Sequence, residues 1–324
     1  MESAPSKQKS IRRVITLAFV ATGLSLLIAN PALGLEQVLP EESLSIWKAA
    51  IFGIVEGLTE FLPISSTGHL LATKEILNVG ETELSEKAID SYIISIQIGA
   101  IFAVAVLYRQ RLLQMLQGLL GRNSEGKKMA GSLIAAVIPT AVIGLAAADF
   151  VKDDLYSLWP VAAAWVAGGI CILAIDKQNI FNRSGKRLEE LTAQKAFLIG
   201  LVQALALWPG VSRSLVTIVA AVFVGLSLRA AVEFSFILGF VTLTAATVFE
   251  LGTDGQQVID SFGYTTPLIG LCVAFVAAVI SVRFMVEWLE QRSFAIFGYY
   301  RLIIGISAII LSLIHISEPT RHER

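Results

Sequence analysis

Apolar stretches of roughly 20 residues alternate with shorter polar stretches along most of this chain, the pattern of helices that cross a bilayer core about 30 Å thick. We predict spans near residues 14–34, 91–108, 131–151, 158–175, 231–250, 266–284 and 294–313. The composition agrees, because 55% of the residues are hydrophobic, 16% are charged and the mean hydropathy is +0.71. The sequence therefore predicts an all-α polytopic membrane protein.

Two shorter apolar segments, residues 53–67 and 200–214, lie between the predicted spans and resemble each other. Aligned at an offset of 147 residues, they match at several positions, including Gly53 with Gly200 and Ser65 with Ser212. A proline interrupts each segment. Internal repeats with helices broken at corresponding positions point to a buried site between the repeats. We therefore predict inverted-topology repeats, each with a re-entrant helix-loop-helix.

Charged residues are unevenly distributed between the predicted spans. Basic residues concentrate in loops 109–128 and 176–195, and acidic residues in loops 149–157 and 251–265. Basic loops remain on the cytoplasmic side, so the acidic loops face outward and the two repeats enter the membrane from opposite faces. The net charge is −1, and basic loops tethered to spans indicate topology rather than binding of nucleic acid.

The first interrupted segment carries two carboxylates at membrane depth. Trp47 to Leu62 predicts about 24 Å of helix at 1.5 Å per residue, which is short for a full crossing, and Pro63 ends it. Glu56 and Glu60 are four residues apart, so their carboxylates lie on one helix face. Two bare charges at that spacing repel each other, which favours a shared cation or proton.

Three hydroxyls and an imidazole follow this proline, at Ser65, Ser66, Thr67 and His69. Hydroxyls and free backbone amides at a helix start suit an anion. Each feature alone has a structural explanation, since Ser and Thr commonly cap helices, a Glu near a span end reaches the interface, and a single His is often a hydrogen-bonded structural residue. Their coincidence on one broken segment favours function, because charge inside a membrane is costly.

The second interrupted segment supplies a cation. Pro209 and Gly210 break the helix, and hydroxyls surround a guanidinium in the stretch that follows, at Ser212, Arg213, Ser214 and Thr217. The planar fork of arginine suits phosphate oxygens. Together the two segments predict a site that hydrolyses a phosphoanhydride, with a metal and an arginine to hold charge, a nucleophile and a proton carrier. The sequence has no Gly-rich P-loop, which argues against a nucleotide substrate.

The motifs EGLTEFLPISSTGH at residues 56–69 and PGVSRSxxT at residues 209–217 resemble the two signature motifs of the bacterial undecaprenyl-diphosphatase (bacitracin-resistance protein) family, and the resemblance runs from about Ser45 to about Ile310. It implies an enzyme of the bacterial inner membrane that removes the terminal phosphate from undecaprenyl diphosphate and so recycles the lipid carrier of cell-wall synthesis. It also implies two re-entrant elements in inverted repeats and a divalent cation, Mg²⁺ or Ca²⁺.

The same resemblance implies the active-site positions Glu56, Glu60, Ser66, His69 and Arg213, with supporting contacts to phosphate or metal from Ser65, Thr67, Ser212 and Thr217. We add Ser214 to the substrate-binding group because it lies beside the guanidinium. In the expected mechanism Glu56 and Glu60 bind the cation, Ser66 attacks phosphorus, and His69 accepts its proton. Attack by a metal-bound or carboxylate-activated water is the alternative.

The expected substrate is a long-chain isoprenyl diphosphate whose tail stays in the bilayer, bound at a site open to the extracytoplasmic side. A second class of protein remains open, a transporter or flippase of lipid phosphate, because inverted repeats with broken helices are typical of secondary transporters. The Ser66 and His69 pair favours the enzyme, since a carrier of anions does not require it.

The two ends lie outside the predicted catalytic domain, residues 46–310. Residues 1–45 form an extension that reads as a signal peptide or an additional first span. Residues 311–324 resemble the in-frame translation of a transposase adapter, and we expect this tail to take no part in the chemistry.

Overall fold

The computed structural model describes residues 44–80, 82–182, 184–291 and 293–317, and these residues are predominantly helical. The longer helices are α1 (Ile46–Thr59), α2 (Ser66–Ile76), α3 (Glu83–Leu107), α4 (Arg109–Leu119), α5 (Ser124–Ala146), α6 (Leu158–Lys177), α7 (Ala193–Gln203), α8 (Arg213–Phe223), α9 (Leu228–Phe262), α10 (Thr265–Gln291) and α11 (Ala295–Ser317). Short helical turns connect some of them, at Ala148–Phe150, Val151–Leu155, Ile180–Asn182, Leu188–Glu190 and Ala204–Leu207. No strand occurs in this part of the chain, which confirms the all-α prediction.

Five of these helices, α3, α5, α6, α9 and α10, are long and apolar enough to cross a membrane. They coincide with five predicted spans and confirm the polytopic class. The predicted span at 294–313 falls on α11, and its residues Ala295–Ile310 form an apolar helix among those searched. The predicted span at 14–34 and the tail from residue 318 lie outside the described residues, and the domain boundaries stay predictions.

Two predicted loops contain more helix than their polar composition indicates. The prediction of a loop at 251–265 is wrong, because α9 continues through this stretch to Phe262. A helix satisfies its own backbone hydrogen bonds, so it extends past its apolar part without leaving polar groups unpaired. Within 109–128, α4 packs against α5, and its Arg111 donates to Glu189 at 2.8 Å and to Glu233 at 2.6 Å. The membrane side of each loop stays a prediction.

Different helices support the two broken segments. α1 packs mainly against α10, and α7 mainly against α5. A Cβ at Gly53 would lie 2.5 Å from the carbonyl oxygen of Gly270, and a Cβ at Gly200 would lie 2.0 Å from that of Ala136. Gly53 and Gly200 are matched positions of the repeat, so the same small residue allows the backbones to approach closely in both halves.

Candidate active site

Both segments break in the same backbone conformation. In each, a helix stops, the chain turns, and a new helix of eleven residues begins, α2 or α8. The residue before the new helix, Ser65 or Ser212, has a φ of 73°. Positive φ is rare outside glycine, and such strain clusters at functional sites. The first helix ends at Thr59 rather than at the predicted Leu62, which places Glu60 in the turn.

The turn brings three predicted site residues together across the two segments. The Ser66 hydroxyl, at the start of α2, donates to Oε2 of Glu60. Arg213, at the start of α8, donates from Nη2 to Oε1 of the same carboxylate at 2.8 Å. Glu60 and Ser66 are buried, and the Arg213 side chain is 13% exposed. A hydroxyl, a carboxylate and a guanidinium therefore form one hydrogen-bonded chain.

α9 holds the Arg213 guanidinium through contacts with its backbone. Nη1 donates to the backbone carbonyl of Ser235 at 2.8 Å, and a Cβ at Gly239 would lie 1.9 Å from Nη1, so this glycine makes room for the side chain. The Nε atom is buried without a hydrogen-bond partner among the described residues. Arginine carries five N–H bonds, and the two hydrogen bonds to Glu60 and Ser235 leave three for a ligand.

The structure places the His69 ring between two partners other than Ser66. Its Nδ1 lies 2.6 Å from the carbonyl oxygen of Ser65, and its Nε2 lies 2.8 Å from the hydroxyl of Tyr300. Because a carbonyl only accepts, Nδ1 carries the proton, and the neutral ring accepts from Tyr300 at Nε2. Both ring nitrogens are therefore occupied, whereas Ser66 donates to Glu60. The hydrogen-bond acceptor next to Ser66 is therefore Glu60, whereas the His69 ring lies between Ser65 and Tyr300; the catalytic role of His69 stays a prediction.

Glu56 lies one helical turn before Glu60 and is fully buried. Neither of its carboxylate oxygens has a hydrogen-bond partner in the described part of the chain. A buried carboxylate without a partner is costly, so these two oxygens fit a bound cation or a shared proton. Among the described residues no cluster of three or more His, Cys, Asp or Glu occurs. Mg²⁺ commonly binds through one or two carboxylates plus substrate phosphates, which matches this acid pair.

A cavity of about 490 Å³ lies against this network. Its polar wall includes six predicted site residues, Glu60, Ser65, Ser66, Thr67, Ser212 and Arg213. Much of the remaining wall is apolar and comes from α5 and α9, including Val137, Leu145, Leu243 and Phe249. A polar end joined to an apolar wall suits an amphiphile with an anionic head.

Two predicted substrate-binding hydroxyls are engaged elsewhere. Ser214 donates to the carbonyl oxygen of Leu62 at 2.8 Å, which ties α8 to the first break. Thr217 donates to the carbonyl oxygen of Arg213 at 2.8 Å, and its hydroxyl lies 2.6 Å from that of Ser235. Neither Ser214 nor Thr217 lines the cavity. Both hydroxyls therefore tie α8 to its neighbours, and their contact with substrate stays a prediction.

Arg301 of α11 is a residue that the sequence analysis missed. It is fully buried and donates to four backbone carbonyls, those of Ala164 and Gly210 at 2.8 Å, Pro63 at 3.2 Å and Trp165 at 3.4 Å. Pro63 and Gly210 belong to the two breaks, so one guanidinium joins both. An arginine within the apolar stretch 294–313 was the available signal, because intramembrane charge points to function. Its partners depend on the tertiary structure.

Comparison with known proteins identifies the family. The family model described as "Bacitracin resistance protein BacA" matches residues 49–307. Undecaprenyl-diphosphatase of Sorangium cellulosum is 39% identical over 268 residues, which cover 82% of this chain and 85% of that protein. Undecaprenyl-diphosphatase 2 of Rhodospirillum rubrum is 40% identical over 259 residues, covering 80% and 92%, and undecaprenyl-diphosphatase 1 of Acinetobacter baylyi is 38% identical over 269 residues, covering 83% and 96%. The resemblance of the two motifs is confirmed, and the chain belongs to the BacA family of bacitracin resistance proteins.

Proposed function

We propose that this protein hydrolyses undecaprenyl diphosphate to undecaprenyl phosphate and inorganic phosphate, the substrate in the names of its relatives. The observation that carries the proposal is the hydrogen-bonded chain from Ser66 through Glu60 to Arg213 on the wall of a largely apolar cavity. This activity recycles the lipid carrier of cell-wall synthesis, and the family name connects it with bacitracin resistance.

The first chemical step forms a phosphoserine. Ser66 Oγ attacks the terminal phosphorus, and Glu60 receives the hydroxyl proton through their hydrogen bond. As the new oxygen–phosphorus bond forms, the bond from phosphorus to the bridging oxygen breaks, and the lipid phosphate leaves with that electron pair. The N–H groups of Arg213 that are not committed to the protein stabilise the charge on the terminal phosphate.

The second step releases inorganic phosphate. Glu60 first passes its proton to the departing lipid phosphate, which restores the carboxylate. A water molecule then attacks the phosphoserine, and Glu60 accepts one of its protons. The bond from phosphorus to Ser66 breaks, and Ser66 regains a proton from Glu60.

A divalent cation, Mg²⁺ or Ca²⁺, fits the Glu56 carboxylate, since both of its oxygens are buried without a described partner, whereas the oxygens of Glu60 already accept from Ser66 and Arg213. When bound, the cation supplies Lewis-acid stabilisation of the diphosphate oxygens. Chelation of divalent cations should abolish turnover, and Mg²⁺ or Ca²⁺ should restore it. Glu56→Gln should raise the cation concentration needed for half-maximal activity. Full turnover in excess chelator would refute the metal site.

The lipid tail lies outside the polar end of the cavity. The diphosphate occupies the wall formed by Ser66 and Arg213, the first isoprene units follow the apolar wall, and the remaining chain stays in the bilayer. The distribution of charged loops supports a bacterial inner-membrane protein with this site open to the extracytoplasmic side. A cysteine at Asp153 should then react with an impermeant reagent outside intact cells, whereas one at Arg122 should not. The reverse labelling would place the site on the other side.

The proton acceptor is tested by comparing variants of Ser66, Glu60 and His69. In detergent, with substrate labelled in the terminal phosphate, Ser66→Ala and Glu60→Gln should each lose about 10³-fold or more in kcat, because they remove the nucleophile and the base. His69→Gln should lose about 10-fold, because the imidazole only positions the turn. Label bound covalently during turnover should map to Ser66.

Two results would contradict this mechanism. If His69→Gln is as inactive as Glu60→Gln while substrate still binds, the imidazole takes part in proton transfer. If Ser66→Ala retains substantial turnover, a water molecule attacks the diphosphate directly. Absence of phosphate release by the unmodified protein in detergent would refute the hydrolase itself.

A further inference from the structure

Gln203, the last residue of α7, carries a hydrogen-bond acceptor that nothing in the described protein uses. The residue is 1% exposed and lines the catalytic cavity. Its Nε2 donates to the hydroxyl of Thr140 at 2.9 Å, whereas Oε1 is buried without a hydrogen-bond partner among the described residues. A buried carbonyl oxygen without a donor is costly, which indicates a donor that arrives with the ligand.

The neighbours of Gln203 fix the orientation of its amide. The Thr140 hydroxyl has a single hydrogen, which it donates to the carbonyl oxygen of Gly200 at 2.7 Å. Thr140 can therefore only accept from Gln203. Turning the amide over would set Oε1 against an oxygen that has no hydrogen left to offer. The unpaired group of this cavity-lining residue is therefore the acceptor, Oε1.

The repeat explains why an uncharged acceptor lies here. At the offset of 147 residues, Gln203 matches Glu56 and Leu207 matches Glu60. Glu56 and Gln203 are both buried, and both have oxygens without a described partner. The second repeat thus keeps the acceptor and loses the negative charge. A carboxylate suits a cation, whereas a neutral carbonyl oxygen suits an O–H donor.

We propose that Oε1 of Gln203 accepts a hydrogen bond from the water that hydrolyses the phosphoserine and thereby orients its attack. The inference rests on the proposed function. A water attacking phosphorus turns a lone pair toward it and both hydrogens away, so it needs two acceptors. Glu60 removes one hydrogen, and Gln203 holds the other, which stays on the oxygen and leaves as part of inorganic phosphate. Both residues line the same cavity as Ser66.

The test compares the two chemical steps in Gln203→Leu, which keeps the side-chain bulk and removes the acceptor. Rapid quenching with terminally labelled undecaprenyl diphosphate measures phosphoenzyme formation and phosphate release separately. Formation should stay within about 3-fold of the unmodified protein, and release should slow by about 100-fold, the typical cost of a misplaced reactant. Labelled phosphoserine should therefore accumulate at Ser66.

A matched control is Gln97→Leu, which removes another carboxamide from the cavity wall. It should not accumulate phosphoenzyme. If Gln203→Leu does not give folded protein by gel filtration in detergent, Gln203→Met provides the same comparison with an unbranched side chain. Equal slowing of both steps, or no change in either, would overturn the proposed role of Gln203 but would not contradict the proposed hydrolase activity. An unmodified protein that releases phosphate without a phosphoserine would overturn both this role and the serine route, and one that releases no phosphate would overturn the proposed function.

Discussion

Arg213→Lys separates the geometry of the cation from its charge. The guanidinium reaches Glu60 through Nη2 and the carbonyl of Ser235 through Nη1, each at 2.8 Å, and keeps three N–H bonds for phosphate. Lysine retains the positive charge, but its single nitrogen has three hydrogens in total. If that nitrogen contacts both Glu60 and Ser235, one hydrogen remains for the substrate. The substitution is therefore not conservative at this position.

The expected loss follows from the hydrogen bonds that lysine cannot make. A hydrogen bond to a charged group contributes about 1.5 to 3 kcal/mol. Every 1.4 kcal/mol is about a factor of ten in rate, so loss of one such bond in the transition state predicts about a 10- to 100-fold fall in kcat/KM. Arg213→Met should lose more, because it also leaves Glu60 buried without its cationic partner.

Phosphate release in detergent at saturating divalent cation gives kcat and KM for the unmodified protein, Arg213→Lys and Arg213→Met. Arg122→Lys, on an exposed turn between α4 and α5, is the matched control and should leave both constants unchanged. Activity of Arg213→Lys within about twofold of the unmodified protein would show that charge alone is required. If Arg213→Lys does not give folded protein, the guanidinium of Arg213 is required for stability, and the predicted effect on catalysis is refuted.

Three further substitutions test how the turns are held. Arg301→Met should destabilise the protein by about 3 kcal/mol in thermal unfolding in detergent, because the carbonyls of both breaks lose a charged donor. Gly210→Ala should lower the free energy of unfolding by about 2 to 4 kcal/mol, since the φ of Gly210 is 94° and the new Cβ would lie 2.7 Å from a backbone oxygen of α6. The control Gly131→Ala should not destabilise the protein, because its Cβ would have no atom within 4 Å. Tyr300→Phe removes the donor to His69 Nε2 and should lower turnover by less than about 10-fold. A loss as large as that of Ser66→Ala would contradict the proposed positioning role of His69.

Most of the helices and the two matched breaks were predictable because they depend on local sequence. Apolar length predicts a span, a proline predicts a break, and matched segments predict matched turns, which the structure shows at Ser65 and Ser212. The extent of α9 was not predictable from polarity, because its polar end satisfies its own backbone hydrogen bonds wherever it lies.

The hydrogen-bond partner of Ser66 could not be predicted from spacing. Ser66 and His69 are three residues apart, which places them on one face of α2. That rule describes only contacts within a helix, however. Ser66 is the first residue of α2, so its hydroxyl also reaches back across the turn, where Glu60 accepts from it. The hydroxyl of Tyr300 in α11 is hydrogen-bonded to Nε2 of the His69 ring. Both contacts come from outside the helix, so only the tertiary structure identifies them.

The divergence of the two repeats is what makes the central ion pair possible. Across the repeat, Glu60 corresponds to Leu207, and Ser66 corresponds to Arg213. With the residues of the first half at both positions, a serine would stand at position 213, and the buried Glu60 carboxylate would have no cationic partner from the second half. Removing one partner of a buried ion pair costs about 3 to 5 kcal/mol. The arginine of the second half supplies that partner at 2.8 Å, and the leucine at 207 adds no second carboxylate, so one ion pair forms between the halves, beside the Ser66 hydroxyl.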